Sequence, residues 1–247
     1  MTGCGFWMDL CWSYNMPVVM FDLCGTLIEE EDYDYNRALR WMADTYFYAR
    51  FEELQKLSCQ FKANYMHMRA VSSAESSFRA QLVLFEKTLN HKLQDNYQVV
   101  EAGFIRIFRK EKLKDGATSL LRMLHDCKTR VYVFTNSLFS GVNLKAHLAT
   151  VGIGELIEAV YSSADAGYRK PSPEAFRYAL DNIDVRDASQ VVYIGDAYEK
   201  DYLGALASGL HPILVSSSPK YADIAFTNLP AVESYLKTEG WHGITNP

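Results

Sequence analysis

Two aspartates follow stretches that predict buried β-strands. Asp22 follows the apolar residues 18–21, and Asp196 follows the apolar residues 191–194 and Gly195. A short apolar run that stops at an acid is typical of a parallel strand, and the carboxyl ends of such strands open into the ligand crevice of an α/β sheet. Asp22 is therefore a candidate nucleophile, because covalent catalysis by aspartate is an established route for phosphoryl transfer.

Asp201 adds a second acid five residues after Asp196. Carboxylates, water and substrate phosphate are the ligands that Mg²⁺ prefers over nitrogen or sulfur. Together with Asp22, the two acids predict a Mg²⁺ site at one end of the sheet. Glu199 lies between them and is predicted to be a solvated residue of the first helical turn.

Thr135 and Asn136 end another predicted strand, residues 131–134. A threonine hydroxyl and the next backbone N–H can donate to phosphate without ionising. The pattern predicts phosphate binding by both residues, although a strand followed by Thr-Asn also makes an ordinary turn.

Lys170 lies immediately before a predicted helix, with Ser172 as its N-cap and Pro173 at its first position. An ammonium group at this point would reduce the repulsion between Asp22 and an anionic phosphate. A solvated lysine beside a helix cap is the alternative interpretation, and Arg169 is a second candidate for the charge-balancing role.

Taken in their order along the chain, these four segments resemble the four motifs of the haloacid dehalogenase-like (HAD) hydrolase superfamily. The resemblance implies a Mg²⁺-dependent phosphatase that forms an aspartyl-phosphate on Asp22. It also implies that the backbone carbonyl of Cys24 is a metal ligand, and that Asp201 holds metal-bound water or orients Lys170. The site residues that it implies are Asp22, Cys24, Thr135, Asn136, Lys170, Asp196 and Asp201.

Cys24 departs from the usual Asp-x-Asp-Gly-Thr form of the first motif, because residues 22–26 read Asp-Leu-Cys-Gly-Thr. In the family the second aspartate protonates the leaving oxygen and then activates water. A nearby carboxylate raises the pKa of a thiol, whereas Mg²⁺ or Lys170 lowers it, so the sequence leaves the direction open. Loss of general acid–base help reduces the rate by about 10² to 10⁴.

Three functions are consistent with this departure. The first is a phosphatase that acts on a small phosphorylated molecule and is slow on alkyl phosphates. The second is a HAD-fold binding or regulatory protein with negligible turnover. The third is a 2-haloacid dehalogenase, a family that also lacks an acid here but does not keep a pair such as Asp196 and Asp201. A redox role for Cys24 is a further hypothesis, with a buried inert thiol as its alternative.

The composition excludes several other classes. The formal net charge of -5 provides no overall attraction to nucleic acid or to anionic membranes. The five cysteines form no Cys-x-x-Cys pair, and the six histidines show no metal-ligand spacing. We therefore expect no nucleic-acid or membrane partner and a cytoplasmic location. Residues 1–16 lack a basic start, and Asp9 interrupts their apolar part, which argues against a signal peptide or anchor.

The expected fold class is α/β, with a doubly wound, Rossmann-like parallel sheet. Residues 17–28 and 113–247 are predicted to form this HAD core, and residues 1–16 an N-terminal extension. Residues 29–112 are predicted to form an inserted helical C1 cap, because apolar residues recur at helical spacing without a strong strand signal. The acidic residues 29–35 are expected to be a solvated loop or helix start. Residues 240–247 are expected to be a tail.

Overall fold

The computed structural model describes residues 18–217 and 222–238. The predicted extension, residues 1–16, and the predicted tail, residues 240–247, lie outside the described residues. Within them the chain forms eight strands: β1 Val18–Phe21, β2 Ile28–Tyr33, β3 Arg109–Leu113, β4 Val131–Thr135, β5 Ala159–Ser162, β6 Val191–Gly195, β7 His211–Val215 and β8 Ala225–Phe226.

Ten α-helices accompany these strands in the described part of the chain. They are α1 Tyr35–Tyr46, α2 Phe51–Val71, α3 Phe78–Leu89, α4 Tyr97–Phe108, α5 Ala117–Asp126, α6 Gly141–Thr150, α7 Ser163–Ala166, α8 Pro173–Asp181, α9 Gly204–Ala207 and α10 Leu229–Thr238. A π-helical turn, Tyr198–Leu203, precedes α9, and short 3₁₀ helices lie at Gly154–Leu156 and Ala188–Gln190.

Six strands form one parallel sheet in the order β5-β4-β1-β6-β7-β8. Alternate residues of β1 belong to different cores: Val19 and Phe21 pack on one face, and Val18 and Met20 on the other. Burial on both faces explains why the sequence of β1 is continuously apolar. The predicted α/β class with a doubly wound parallel sheet is confirmed.

The prediction of a loop or helix start at residues 29–35 was wrong, as was the expectation that the following helical residues, up to residue 112, contain no strand. β2 and β3 pair in an antiparallel, two-stranded ribbon at the two ends of the helical segment. Its register places Glu29 across from Lys112, and the charged groups of these two residues lie 2.9 Å apart. Lys110 likewise lies 3.0 Å from Glu31. Cross-strand pairs of opposite charge favour strand pairing, so this acidic run is one half of a charged ribbon.

Helices α1 to α4 occupy residues 35–108, between the two ribbon strands. Their apolar faces meet around buried aromatic side chains, including Phe47, Phe85 and Phe104. Trp41 packs against Gly103, where a side chain would collide with the indole ring. These contacts account for most of the apolar residues at helical spacing in this part of the sequence.

The remaining core elements lie close to their predicted positions. The sequence also predicts strands at residues 157–161 and 213–215, and these correspond to β5 and to the end of β7. The short edge strand β8 was not predicted, since two residues carry no periodic signal. In the described ranges, no helix is both long and apolar enough to cross a bilayer.

Candidate active site

Three carboxylates lie together at the carboxyl ends of the two central strands. Asp22 follows β1 and Asp196 follows β6, and these strands are paired in parallel with Phe21 opposite Ile194. Asp201 comes from the π-helical turn that begins after β6. One carboxylate oxygen from each aspartate lies within 4.8 Å of the others. The structure thus brings together the three acids that the sequence predicts as metal ligands.

Lys170 lies between two of these acids and is almost completely buried. Its Nζ donates to Asp22 Oδ1 and to Asp201 Oδ1, both at 2.7 Å. It also donates to the hydroxyl of Tyr193 at 2.6 Å and to the carbonyl of Phe134 at 3.0 Å. Burial acts to lower the pKa of Lys170, but the two carboxylates outweigh it and raise the pKa, so the ammonium stays charged.

The carboxylates carry more negative charge than Lys170 can balance. Burial raises the pKa of Asp22 to about 6, with Lys170 opposing this shift and Asp201 adding to it. Burial also raises the pKa of Asp196, and the neighbouring Asp201 adds to the effect. Three carboxylates against one ammonium fit a divalent cation with oxygen ligands, because such a cation would relieve this repulsion.

Two glycines allow the backbone to approach these acids closely. Gly25 has a φ of +93°, and a Cβ at this position would overlap the carboxylate of Asp196. A Cβ on Gly195 would overlap the side chain of Asp201. The hydroxyl of Thr26 contacts Asp196 Oδ1 at 3.4 Å. The glycine of the first motif is thus required by both its backbone conformation and the packing of a predicted metal ligand.

Asn136 has a contact that the sequence did not suggest. Its Oδ1 accepts from the backbone N–H of Lys170 at 2.9 Å, and its Nδ2 donates to the carbonyl of Lys170 at 3.1 Å. The side chain of Asn136 therefore holds the lysine's backbone in place. Thr135 is buried at the end of β4, the strand next to β1. Ser172 caps α8 as predicted, by accepting from the N–H of Ala175.

Arg169 does not reach the carboxylates, contrary to the suggestion that it could replace Lys170. Its guanidinium donates to the carbonyls of Ser72 at 2.5 Å, Arg69 at 3.1 Å and Ala74 at 3.3 Å. These carbonyls belong to the C-terminal end of α2 and the segment after it. Arg169 therefore connects the helical segment to the core, and Lys170 is the cation at the site.

Cys24 is exposed, and a cation lies beside it. Arg109, the first residue of β3, places Nη2 at 3.4 Å from Cys24 Sγ. Enclosure by the surrounding protein raises the pKa of the Cys24 thiol, and Arg109 opposes this only in part. The thiol is therefore neutral at pH 7 and provides no base. Sequence reasoning missed Arg109 and Tyr193; no local pattern marks Arg109, since only the ribbon pairing brings it to residue 24.

Comparisons with known proteins give the family of the chain. A family model described as haloacid dehalogenase-like hydrolase matches residues 16–209. Haloacid dehalogenase-like hydrolase domain-containing protein 3 of Bos taurus is 38% identical over 122 residues, which cover 49% of this chain and 47% of that protein. Pyrimidine 5'-nucleotidase YjjG of Escherichia coli is 32% identical over 95 residues, which cover 38% of this chain and 41% of that enzyme. The similarity thus spans less than half the length of each of these relatives.

A structural comparison extends over nearly the whole chain. The crystal structure of a 2-haloacid dehalogenase from Pseudomonas syringae matches with a TM-score of 0.58 at 20% identity, covering 90% of this chain and 99% of that one. At this identity the similarity shows a shared fold and does not extend to the reaction. The family match over most of the chain is the stronger finding: this protein belongs to the haloacid dehalogenase-like hydrolase family.

Proposed function

We propose that the protein is a Mg²⁺-dependent phosphatase that acts on a small phosphorylated molecule through an aspartyl-phosphate on Asp22. The observation that carries the proposal is the position of Asp22, which is hydrogen-bonded to a buried ammonium and lies within 4.8 Å of two further acids. A relative named as a pyrimidine 5'-nucleotidase supports phosphate ester hydrolysis as the reaction class.

In this mechanism Asp22 attacks phosphorus with its free carboxylate oxygen, while Lys170 keeps the carboxylate ionised and oriented. Thr135 and the backbone of Asn136 would donate to the phosphoryl oxygens. Asp22, Asp196 and the carbonyl of Cys24 would hold Mg²⁺, with Asp201 orienting Lys170. When bound, the cation supplies charge neutralisation between the carboxylate and the phosphoryl oxygens.

The weak step in this mechanism is the second half-reaction. Hydrolysis of an aspartyl-phosphate is assisted by a general base, and the neutral thiol of Cys24 cannot act as one. We therefore expect the phosphoenzyme to form faster than it breaks down. The four helices of residues 35–108 would act as the predicted C1 cap and select the substrate.

A second candidate function follows from the same residue. If the neutral Cys24 leaves no useful turnover, the site would bind phosphate and Mg²⁺ without catalysis, and the protein would act as a binding or regulatory module. The dehalogenase alternative has less support, because the pair Asp196 and Asp201 has no role in a metal-free displacement of halide.

Hydrolysis of p-nitrophenyl phosphate with Mg²⁺ tests the proposal, because this ester has a good leaving group. The wild type should release a burst of about one nitrophenolate per site, followed by slower turnover. Acid quenching should trap one phosphoryl group on Asp22, detected by peptide mass spectrometry. The Asp22→Asn variant should show neither signal, whereas Asp44→Asn, the same change on an exposed position of α1, should behave as wild type.

Two results would contradict the phosphatase proposal. Turnover that persists in Asp22→Asn would place the nucleophile elsewhere. A wild-type protein that binds inorganic phosphate in the presence of Mg²⁺ but neither hydrolyses the ester nor becomes phosphorylated would favour the binding module.

A further inference from the structure

Arg109 lies beside Cys24, the residue that occupies the position of the usual second acid of the first motif. It is only 7% exposed, and its Nη2 is 3.4 Å from Cys24 Sγ. Cys24 lies two residues after the predicted nucleophile, and its side chain faces solvent. A cation therefore lies next to the position from which a leaving group would be protonated.

The guanidinium is fixed by residues of the ribbon. Its Nη2 donates to the hydroxyl of Tyr33 at 2.7 Å, and its Nε lies 2.5 Å from Glu111 Oε1. Tyr33 in turn donates to Glu111 at 2.8 Å, and His147 Nε2 contacts the other oxygen of Glu111 at 2.5 Å. Burying an ion pair is unfavourable unless its groups are well oriented, so this network specifies the location of Arg109 closely.

We propose that Arg109 is a catalytic residue that stabilises the anionic leaving group by hydrogen bonding, in place of the missing general acid. This rests on the proposed phosphatase function and extends it to leaving-group chemistry. A guanidinium keeps its proton at all ordinary pH values, so it can donate a hydrogen bond to an oxyanion but cannot protonate it.

The first chemical step then balances without proton transfer. A bond forms between a carboxylate oxygen of Asp22 and phosphorus, and the bond between phosphorus and the leaving oxygen breaks. The electron pair stays on that oxygen, where it accepts a hydrogen bond from Arg109. The released anion takes a proton from water afterwards.

This step selects a class of substrate. Phosphate esters and anhydrides whose leaving group is a stable anion, such as an enolate, a phenolate, a carboxylate or a second phosphate, need no proton at departure. Simple alkyl phosphates do, because a guanidinium stabilises an alkoxide only in part. We therefore assign to this protein the phosphate esters and anhydrides whose leaving group is a stable anion. Arg109 is the residue that distinguishes them from simple alkyl phosphates.

The test compares two aryl esters of similar size, phenyl phosphate and 2,4-dinitrophenyl phosphate, with Mg²⁺ present. The variants are Glu111→Gln and the double variant Arg109→Met with Glu111→Gln. The two variants differ only in the guanidinium of residue 109. Because both carry Glu111→Gln, neither has an unpaired buried charge at residue 111. Adding Arg109→Met should lower kcat/KM by about 10²-fold for phenyl phosphate, and by less than about threefold for the dinitrophenyl ester.

Matched controls separate catalysis from folding. Arg106→Met, an exposed position on the preceding helical turn, should leave both substrates unaffected. Arg109→Lys keeps the positive charge and should lose an intermediate amount on phenyl phosphate only. If either Arg109 variant loses the same factor on both esters, or neither loses activity, Arg109 does not contact the leaving group. If the wild type hydrolyses neither ester in an Asp22-dependent manner, the phosphatase proposal and this inference are both wrong.

Discussion

At the scale of single residues, position 24 decides which half of the reaction is impaired. The thiol is neutral and Arg109 lies 3.4 Å from it, so a carboxylate introduced at this position would lie beside a guanidinium. An adjacent cation lowers the pKa of a carboxyl group and keeps it ionised. A general acid must carry a proton at the working pH, so restoring the acid alone would not restore its function.

This argument predicts that the effect of Cys24→Asp depends on Arg109. In the wild-type background, Cys24→Asp should not increase kcat/KM for phenyl phosphate. In the double variant that carries both Arg109→Met and Glu111→Gln, adding Cys24→Asp should increase kcat/KM for phenyl phosphate by about 10²-fold, because the new carboxyl can then hold a proton. Steady-state kinetics of the four proteins in this cycle measure the coupling. An equal gain in both backgrounds would show that Arg109 does not influence residue 24.

At the scale of elements, the short segment after α2 is hydrogen-bonded to the core. Residues 72–77, which follow α2, are hydrogen-bonded to the residues just before Lys170. The backbone N–H of Glu75 donates to the carbonyl of Gly167, and the backbone N–H of Arg169 donates to the carbonyl of Ser73, both at 2.8 Å. The Arg169 guanidinium adds contacts to three carbonyls. Any motion of the helical segment relative to the site must break these bonds.

Arg169→Ala should therefore loosen residues 72–77 while leaving Lys170 in contact with Asp22. Hydrogen bonds from a charged donor contribute about 1.5 to 3 kcal/mol each, so the loss of one is enough to speed local opening about tenfold. Hydrogen–deuterium exchange should show this acceleration at Glu75, with little change in β1 or β6. Arg177→Ala, an exposed position on α8, is the control. Unchanged exchange at Glu75 would mean that the backbone bonds and the contact between Glu75 and Ser163 hold the segment without the guanidinium.

The elements also show what a sequence can and cannot predict. β1 and β6 were predictable because an apolar run that stops at an acid is a local pattern with a single physical cause, burial on both faces of a parallel sheet. The ribbon was not, because its strands consist mostly of charged residues and lie at opposite ends of the helical segment. Its stability comes from pairs such as Glu29 and Lys112, and a pairing between distant residues leaves no local signal.

The same distinction applies to the candidate site. Asp22, Lys170, Asp196 and Asp201 lie together because each is at a strand end or helix start of one sheet, and these positions were predictable. The orientation of Arg169 toward the helices was not predictable, since two adjacent cations look equivalent in the sequence. Arg109 required the register of the ribbon, which places it opposite Tyr33.

At the scale of the whole molecule, the site makes the protein less stable than its core alone would allow. In the folded protein the pKa of Asp22 is raised to about 6, whereas its ordinary value is 3.8. Folding therefore opposes ionisation, and the wild type loses stability as the pH rises from about 3.8 to about 6. A shift of roughly two pKa units lowers the free energy of unfolding by about 3 kcal/mol at pH values above that window, and does not change it below the window.

Asp22→Asn removes this penalty and keeps a hydrogen-bond acceptor for Lys170. In a chelating buffer at pH 7 the variant should be more stable than the wild type by up to about 3 kcal/mol in urea unfolding, and the difference should vanish near pH 4. Mg²⁺ at a concentration of about 1,000 Kd should reverse the order, because a ligand bound only by the folded state then adds about 4.1 kcal/mol, and the variant has lost one of its predicted ligands. Asp44→Asn should follow the wild type under every condition. A stability difference that is the same at pH 4 and pH 7 would show that the gain comes from packing, since only a carboxylate that ionises less readily in the folded state can produce this pH dependence.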